Sequence, residues 1–191
     1  MIKKLALIIG FIICLSSCGK DYVYRIEGEL SNLEDQTVYA VFEKDNYKVV
    51  DTVACTKPGQ FQIDQNEAGF HCVTIFFADK EHWVTAYLEP GETVKITGDA
   101  NSPLLLQVKG GRTNDKLTAF KKKIAPLLTE LTNLSNSLNS KDLNDTIEET
   151  DIAARLANVN MQLSEEAIRY VKENPNEEAS VVLIQSFFSD P

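Results

Sequence analysis

The sequence predicts an α+β protein in which a mainly antiparallel β-sandwich of about seven or eight strands precedes an α-helical hairpin. Up to Lys109, short runs of β-branched and aromatic residues alternate with turn residues. After Gly110-Gly111, leucines recur at the three-and-four spacing of amphipathic helices. The two halves follow different periodicities, which indicates that strands and helices are segregated along the chain.

Eight strands are predicted in the first half of the chain. Alternation such as Phe61-Gln62-Ile63 is typical of a strand with one buried face. The apolar run from Val73 to Phe77 is typical of a central strand, although a buried helical turn has the same pattern. The predicted strands cover residues 22–30, 36–43, 47–55, 60–64, 69–78, 82–89, 92–98 and 104–109.

Three helices are predicted in the second half. The first bends at Pro126 and the second follows a polar break at 139–142, and each carries one apolar stripe, so that the two can pack as an antiparallel hairpin. The third starts with Asn174 as N-cap, Pro175 at the first helical position and Glu177 at the reciprocal capping position. The stripes comprise Leu117, Phe120, Ile124, Leu127, Leu131, Leu134 and Leu138, then Ile147, Ile152, Leu156, Val159, Leu163, Ile168 and Val171.

The first seventeen residues have the layout of a secretory signal peptide, with a basic start, an apolar run and small residues before Cys18. The run of about eleven residues, at about 1.5 Å each, is too short to span a hydrocarbon core of roughly 30 Å. Leu15-Ser16-Ser17-Cys18 resembles the bacterial lipobox, whose cysteine is lipidated and becomes the first mature residue. An ordinary secretory signal cut nearby is the alternative.

These features divide the chain into a signal peptide (1–17), a lipidated tether (18–21), a β-sandwich domain (22–111) and a helical arm (112–191). The anchor predicts a place in the bacterial cell envelope, held to the membrane by lipid, with the periplasmic side of the outer membrane as the expected location. The apolar ending at Phe187-Phe188 leads us to expect either a further domain beyond Pro191 or docking of the arm onto a partner.

The acidic composition disfavours nucleic acid as a partner. The formal net charge is −9, and without the first seventeen residues, which hold two lysines and no acids, it is about −11. Such a surface repels a phosphate backbone. The one run of bases, Lys121-Lys122-Lys123, is interpreted as the solvated face of a helix.

Two cysteines, Cys55 and Cys72, remain as thiols after Cys14 leaves with the signal and Cys18 takes the lipid. An oxidising envelope would allow them to form a disulfide. Two unpaired, buried cysteines are the favoured interpretation, because a free cysteine packs as a small apolar residue. The mature sequence contains no Cys-x-x-Cys pair.

No catalytic, metal or cofactor motif is present in the sequence. His71 and His82 lie on predicted strands without a nearby acidic partner, so both are interpreted as ordinary strand residues. Trp83 and Tyr87 share one face of a predicted strand. That pair is interpreted as packing surface, with a ligand surface as the alternative. Direct catalysis by this chain is therefore disfavoured.

A series of short motifs recurs along the predicted sandwich: Ile26-x-Gly28, Val50-Asp51-Thr52, Gly59-x-Phe61, Tyr87-Leu88-Glu89-Pro90-Gly91-Glu92, Ile96-x-Gly98-Asp99, Val108-x-Gly110 and Asn114-x-x-Leu117. Through these motifs, residues from about Tyr24 to Phe120 resemble DUF4369, a domain of unknown function found at the amino-terminal end of envelope thiol-disulfide oxidoreductases in gram-negative bacteria. The helical part with Asn174-Pro175 resembles the linker that follows in such proteins.

The resemblance implies a non-catalytic lipoprotein domain that anchors and positions a thioredoxin-like module in cis or in trans. In the family that module carries a Cys-x-x-Cys pair. This chain lacks the pair, so no residue here inherits the redox role. The alternative function is a sandwich lipoprotein that binds a small ligand or glycan beside Trp83 and Tyr87.

A mass measurement of the mature protein under non-reducing conditions tests the anchor and the thiols together. We expect a chain that begins at an acylated Cys18 and keeps both thiol hydrogens on Cys55 and Cys72. An unacylated chain cut at another residue would contradict the lipobox interpretation. A mass lower by two hydrogens would indicate the disulfide.

Overall fold

The structure is a computed structural model that describes residues 22–34, 37–77, 81–139 and 146–188. The predicted signal peptide and lipidation site at Cys18 lie outside the described residues. The strands are β1 (Tyr24–Ser31), β2 (Thr37–Lys44), β3 (Tyr47–Ala54), β4 (Gln60–Gln65), β5 (Cys72–Phe76), β6 (Trp83–Tyr87), β7 (Thr93–Asp99) and β8 (Gln107–Lys109). The helices are α1 (Arg112–Lys123), α2 (Ala125–Asn139), α3 (Thr146–Glu173) and α4 (Glu178–Phe188), and a 3₁₀ turn covers Pro103–Leu105.

The strands form two four-stranded sheets in a sandwich-like arrangement. One sheet has the order β4-β1-β7-β8 and the other the order β3-β2-β5-β6. Alternate residues of both sheets point inward and share one apolar core, with Ile26 and Ile96 from the first sheet and Val38 and Val73 from the second. The predicted α+β class and all eight predicted strands are confirmed, although the last strand is shortened by the 3₁₀ turn.

One pairing departs from the predicted antiparallel arrangement. β1 lies inside its sheet, antiparallel to β4 on one side and parallel to β7 on the other, with Gly28 opposite Ile96. The chain reaches β7 only after β5 and β6 of the other sheet, so it returns by a crossover and runs in the direction of β1. The direction of a strand relative to its neighbour has no signal in the local sequence, so the parallel pairing of β1 with β7 was not predicted.

A glycine–aromatic pair fixes the register of β1 against β4. Gly28 lies directly opposite Phe61, and the Phe61 ring lies over it so closely that a Cβ at Gly28 would overlap the ring. Phe61 is buried in the sandwich core. The ring therefore fills the volume that the missing side chain leaves, and a larger residue at either position would force the two strands apart.

The turn from β8 into α1 depends on two glycines. Gly110 and Gly111 have φ values of 98° and 82°, which side chains rarely adopt. A Cβ on Gly110 would also overlap the Thr93 carbonyl of β7. The glycines allow α1 to begin directly beside the two sheet edges formed by β6 and β8.

Side chains of α1 form hydrogen bonds with the backbone of β6 and β8, which are edge strands of the two sheets. The Tyr87 N–H of β6 donates to Asn114 Oδ1 at 2.9 Å, and Asn114 Nδ2 donates to the Tyr87 and Gly110 carbonyls at 2.7 and 2.6 Å. One turn later, Thr118 Oγ1 accepts from the Val108 N–H of β8 at 3.0 Å and donates to its carbonyl at 2.5 Å. Both side chains are buried. Two residues of one helix thus close the open side of the sandwich.

The helices form a second apolar core in which α1 and α2 run antiparallel to α3. Three contacts show this direction, because residue numbers fall along α2 and α1 as they rise along α3. Glu130 pairs with Arg155 at 3.1 Å, Lys123 pairs with Glu166 at 3.3 Å, and the Phe120 and Tyr170 ring centroids are 5.4 Å apart. The arrangement agrees with the predicted hairpin.

Two helix boundaries differ from the prediction. The expected single bent helix is two helices, because the helix is interrupted at Ile124 and Pro126, which has no N–H to donate, is the second residue of α2. The prediction of Asn174 as an N-cap is wrong. Its Nδ2 donates to the Tyr170 carbonyl at 2.9 Å, so it ends α3, and Pro175 lies in the following turn. The Asn-Pro pair marks the end of one helix rather than the start of the next.

Replacement of Asn114 by alanine tests the closure of the sandwich. Because Asn114→Ala leaves the Tyr87 backbone without its partners in a buried place, we expect the free energy of unfolding to fall by about 2 kcal/mol. Urea unfolding measures this change. Asn158→Ala, on the exposed surface of α3, is the control and should change the stability by less than about 0.5 kcal/mol. Equal stability of both variants would contradict the role given to Asn114.

Candidate functional site at the junction of sandwich and helices

Polar contacts fix the helical arm to the sandwich. The Arg112 N–H donates to Glu89 Oε1 in the turn after β6, at 2.7 Å, and the Arg112 guanidinium donates to Glu177 Oε1, also at 2.7 Å. Thr113 Oγ1 donates to Glu178 Oε2 at 2.7 Å. Glu178 is the first residue of α4, where a carboxylate also favours the helix dipole. The start of α4 is therefore held on the start of α1.

The outer side of α4 exposes large apolar side chains. Val181, Ile184 and Phe188 follow the spacing of one helix face and are 52%, 44% and 46% exposed. We refer to these three residues as the α4 face. The opposite side of the helix packs inward through buried Val182 and Leu183. The helix is apolar on both sides, and only one side is covered by the described residues.

A cavity of about 320 Å³ lies between the outer face of β6 and the helices. We call it the junction cavity. Its walls are mainly apolar, and they include Trp83 and Tyr87 of β6, Leu117 and Phe120 of α1, Leu128 of α2 and Phe187 of α4.

Trp83 and Tyr87 share the face of β6 that points away from the sandwich core. Trp83 is 53% exposed, and its ring centroid is 6.1 Å from that of Phe76. Tyr87 is half-buried, and burial raises its pKa to about 12. The two aromatic residues therefore form one wall of a cavity that is partly open to solvent.

Lys121 lies in the wall of the junction cavity as well. It is half-buried, whereas Lys122 and Lys123 are exposed, so the prediction that the whole lysine run is solvated is wrong for Lys121. Burial lowers the pKa of the Lys121 amine. No carboxylate in the described part of the chain pairs with it. Sequence reasoning missed this residue because its burial depends on the packing of α1 against distant segments.

Both predicted thiols, Cys55 and Cys72, are half-buried, and no disulfide joins them. Cys55 packs against the sandwich core. Cys72 begins β5 and lies opposite Tyr87 in the neighbouring strand. Burial, and to a lesser degree the charge of Glu43, raises the pKa of the Cys72 thiol. A raised pKa opposes formation of the thiolate, which is the reactive form.

The two histidines lie outside the junction cavity. His71 Nε2 lies 3.3 Å from Asp45 Oδ1, so the expectation that His71 lacks an acidic neighbour is wrong, but both side chains are exposed to solvent. His82 precedes β6. Among the described residues, no group of three or more His, Cys, Asp or Glu side chains is placed to hold a metal ion. In the same part of the chain, no helix has the length and apolar composition needed to cross a membrane.

The reactivity of Cys72 tests the effect of burial on its thiol. With the other cysteines replaced by serine, we expect Cys72 in the folded chain to react with a disulfide reagent at pH 8 at least about tenfold more slowly than in the urea-unfolded chain. Because the pKa is raised, the rate should keep increasing with pH above the ordinary thiol pKa of about 8.5. A rate that levels off below that pH would contradict the raised pKa.

The comparison with protein families identifies the first part of the chain. Residues 24–117 match the model of DUF4369, a domain of unknown function, and the match runs from the first residue of β1 into α1. Searches of curated proteins and of solved structures gave no match. The matched segment contains the Gly28–Phe61 pair and the Asn114 contacts. Residues 24–117 are therefore similar to the DUF4369 domain.

Proposed function

We propose that this chain is a non-catalytic lipoprotein module of the bacterial cell envelope that positions a thioredoxin-like thiol-disulfide oxidoreductase domain. That domain is supplied either by the same polypeptide or by a separate one. The observation that carries the proposal is the α4 face, an exposed apolar surface on a helix that is fixed to the DUF4369 domain. Lipidation of Cys18 would hold the assembly at the membrane.

The α4 face has the properties of a docking surface. Three large apolar side chains on adjacent turns expose a continuous patch, which soluble proteins commonly use to bind a partner. The residue types fit an apolar partner surface better than a charged one, because no charged residue follows Glu178 in α4. The sequence resemblance to the family of envelope oxidoreductases supplies the class of the partner.

The attachment of α4 gives the docked domain a defined orientation. Arg112 and Thr113 of α1 bind Glu177 and Glu178, and α1 in turn binds both sheet edges of the sandwich. A domain that docks on α4 is thereby linked to the sandwich through a short series of hydrogen bonds. A module that positions another domain needs such a fixed connection between the docking helix and its own fold.

The redox chemistry is assigned to the partner because the thiols of this chain are unsuited to it. Thiol-disulfide exchange needs a thiolate and a nearby second cysteine. Cys72 has a raised pKa and Cys55 packs against the core. Neither thiol has a neighbouring cysteine of the Cys-x-x-Cys kind.

A substitution that introduces a charge on the α4 face tests the proposal. The gene is first read beyond codon 191 and around this locus to obtain the thioredoxin-like domain. That domain is then titrated into the chain by calorimetry. Ile184→Glu places an unpaired carboxylate in the apolar interface, and we expect it to weaken binding at least about tenfold.

Gln185→Glu is the matched control, because it adds the same charge to an exposed position of the same helix. It should change the affinity less than twofold. Thermal unfolding by circular dichroism establishes that both variants are folded. Equal binding by the two variants, or the absence of any thioredoxin-like domain that binds the chain, would contradict the positioning role.

A further inference from the structure

The junction cavity combines apolar walls with one half-buried base, Lys121. At about 320 Å³ it lies at the lower end of the range of ligand pockets, about 300–1,000 Å³. Leu117, Phe120, Leu128 and Phe187 give it a surface that favours aliphatic chains. It is bounded by six elements, β6, the 3₁₀ turn, β8, α1, α2 and α4, so its shape is set by the fold rather than by one loop.

Lys121 makes this cavity different from an ordinary packing gap. Its stem lies among apolar residues, and it also lines a smaller cavity beside Leu105 and Leu106. Even partial removal of an ammonium from water is unfavourable without a counter-charge, and nearby Lys123 has such a partner, since its Nζ lies 3.3 Å from Glu166 Oε2. In the described part of the chain, no acid does this for Lys121.

We propose that the junction cavity binds a small anionic amphiphile, an aliphatic chain with a terminal carboxylate, and that Lys121 binds the carboxylate. The apolar walls take the chain and the lysine supplies the opposite charge at one end. This proposal is independent of the positioning role, because it concerns the inner side of α4 and not the α4 face.

Other occupants fit the cavity less well. A sugar needs several available hydrogen-bonding side chains, and those of Asn114 and Thr118 in the wall already bond to the backbone of β6 and β8. A neutral alkane or alcohol would leave the Lys121 ammonium without a counter-charge, and a cationic amphiphile would be repelled by it. An anionic amphiphile satisfies both the apolar wall and the base.

Trp83 makes the proposal directly measurable. It is the single tryptophan of the chain and it lies in the cavity wall, so a ligand that enters the cavity should change its fluorescence. The full chain is titrated with decanoate, decan-1-ol and decyltrimethylammonium, three probes with the same ten-carbon chain and different head groups. Calorimetry repeats the titrations in case the emission does not change. We expect decanoate to bind saturably at one site, at least tenfold more tightly than the other two probes.

Lys121→Met keeps an unbranched apolar side chain and removes the charge. We expect this variant to lose the preference for decanoate, so that its affinity for decanoate is within twofold of its affinity for decan-1-ol. Lys122→Met removes an exposed neighbouring charge and should retain the tenfold preference of the wild type. The comparison of the three probes on the wild type remains decisive even if a variant fails to fold.

Four results would overturn the proposal. The first three are the absence of saturable decanoate binding, equal binding of decanoate and decan-1-ol by the wild type, and an unchanged preference for decanoate in Lys121→Met. Loss of the preference in Lys122→Met as well would show a general charge effect and would also overturn the role of Lys121.

Discussion

The hydrogen bonds from Asn114 and Thr118 to the edges of the two sheets are the contacts on which the rest of the molecule depends. A sandwich of two four-stranded sheets has open edges, and an open edge must either pair, be covered or face water. Here a single helix covers the edges of β6 and β8 with side chains four residues apart. The position of α1 then determines where α2, α3 and α4 lie. The junction cavity and the α4 face follow from that placement.

The parts of the fold that the sequence predicted are those with local signals. Alternation located the eight strands, and the leucine spacing located the helices. The parallel pairing of β1 with β7 has no local signal, because it depends on the path of the chain through the other sheet. The apolar stripe of α3 was predicted with Ile168, but Ala167 is the buried residue and Ile168 is 40% exposed. The fourth residue after Leu163, not the fifth, returns to the same side of the helix.

The candidate site was predictable only in part, for the same reason. The shared face of Trp83 and Tyr87 follows from the period of a strand, but their position under helices does not. Lys121 belongs to a run that looks solvated, and its burial arises from packing against segments distant in sequence. Asn114 is an ordinary polar residue in the sequence. The hydrogen bonds of Asn114 form only in the folded chain, where α1 lies beside the edges of both sheets.

α1 also belongs to both halves of the protein at once. Asn114 and Thr118 bind the sheets, while Phe120 lies in the helical core. The sandwich and the helical arm therefore share this helix as part of their structure. The segment that matches the family ends at Leu117, inside this helix and before Thr118. A fragment cut at that point would expose the β8 edge and become prone to strand-to-strand aggregation. The sandwich and the arm should therefore melt in one cooperative transition, and natural recombination that exchanges this domain is expected to carry the whole of α1 with it.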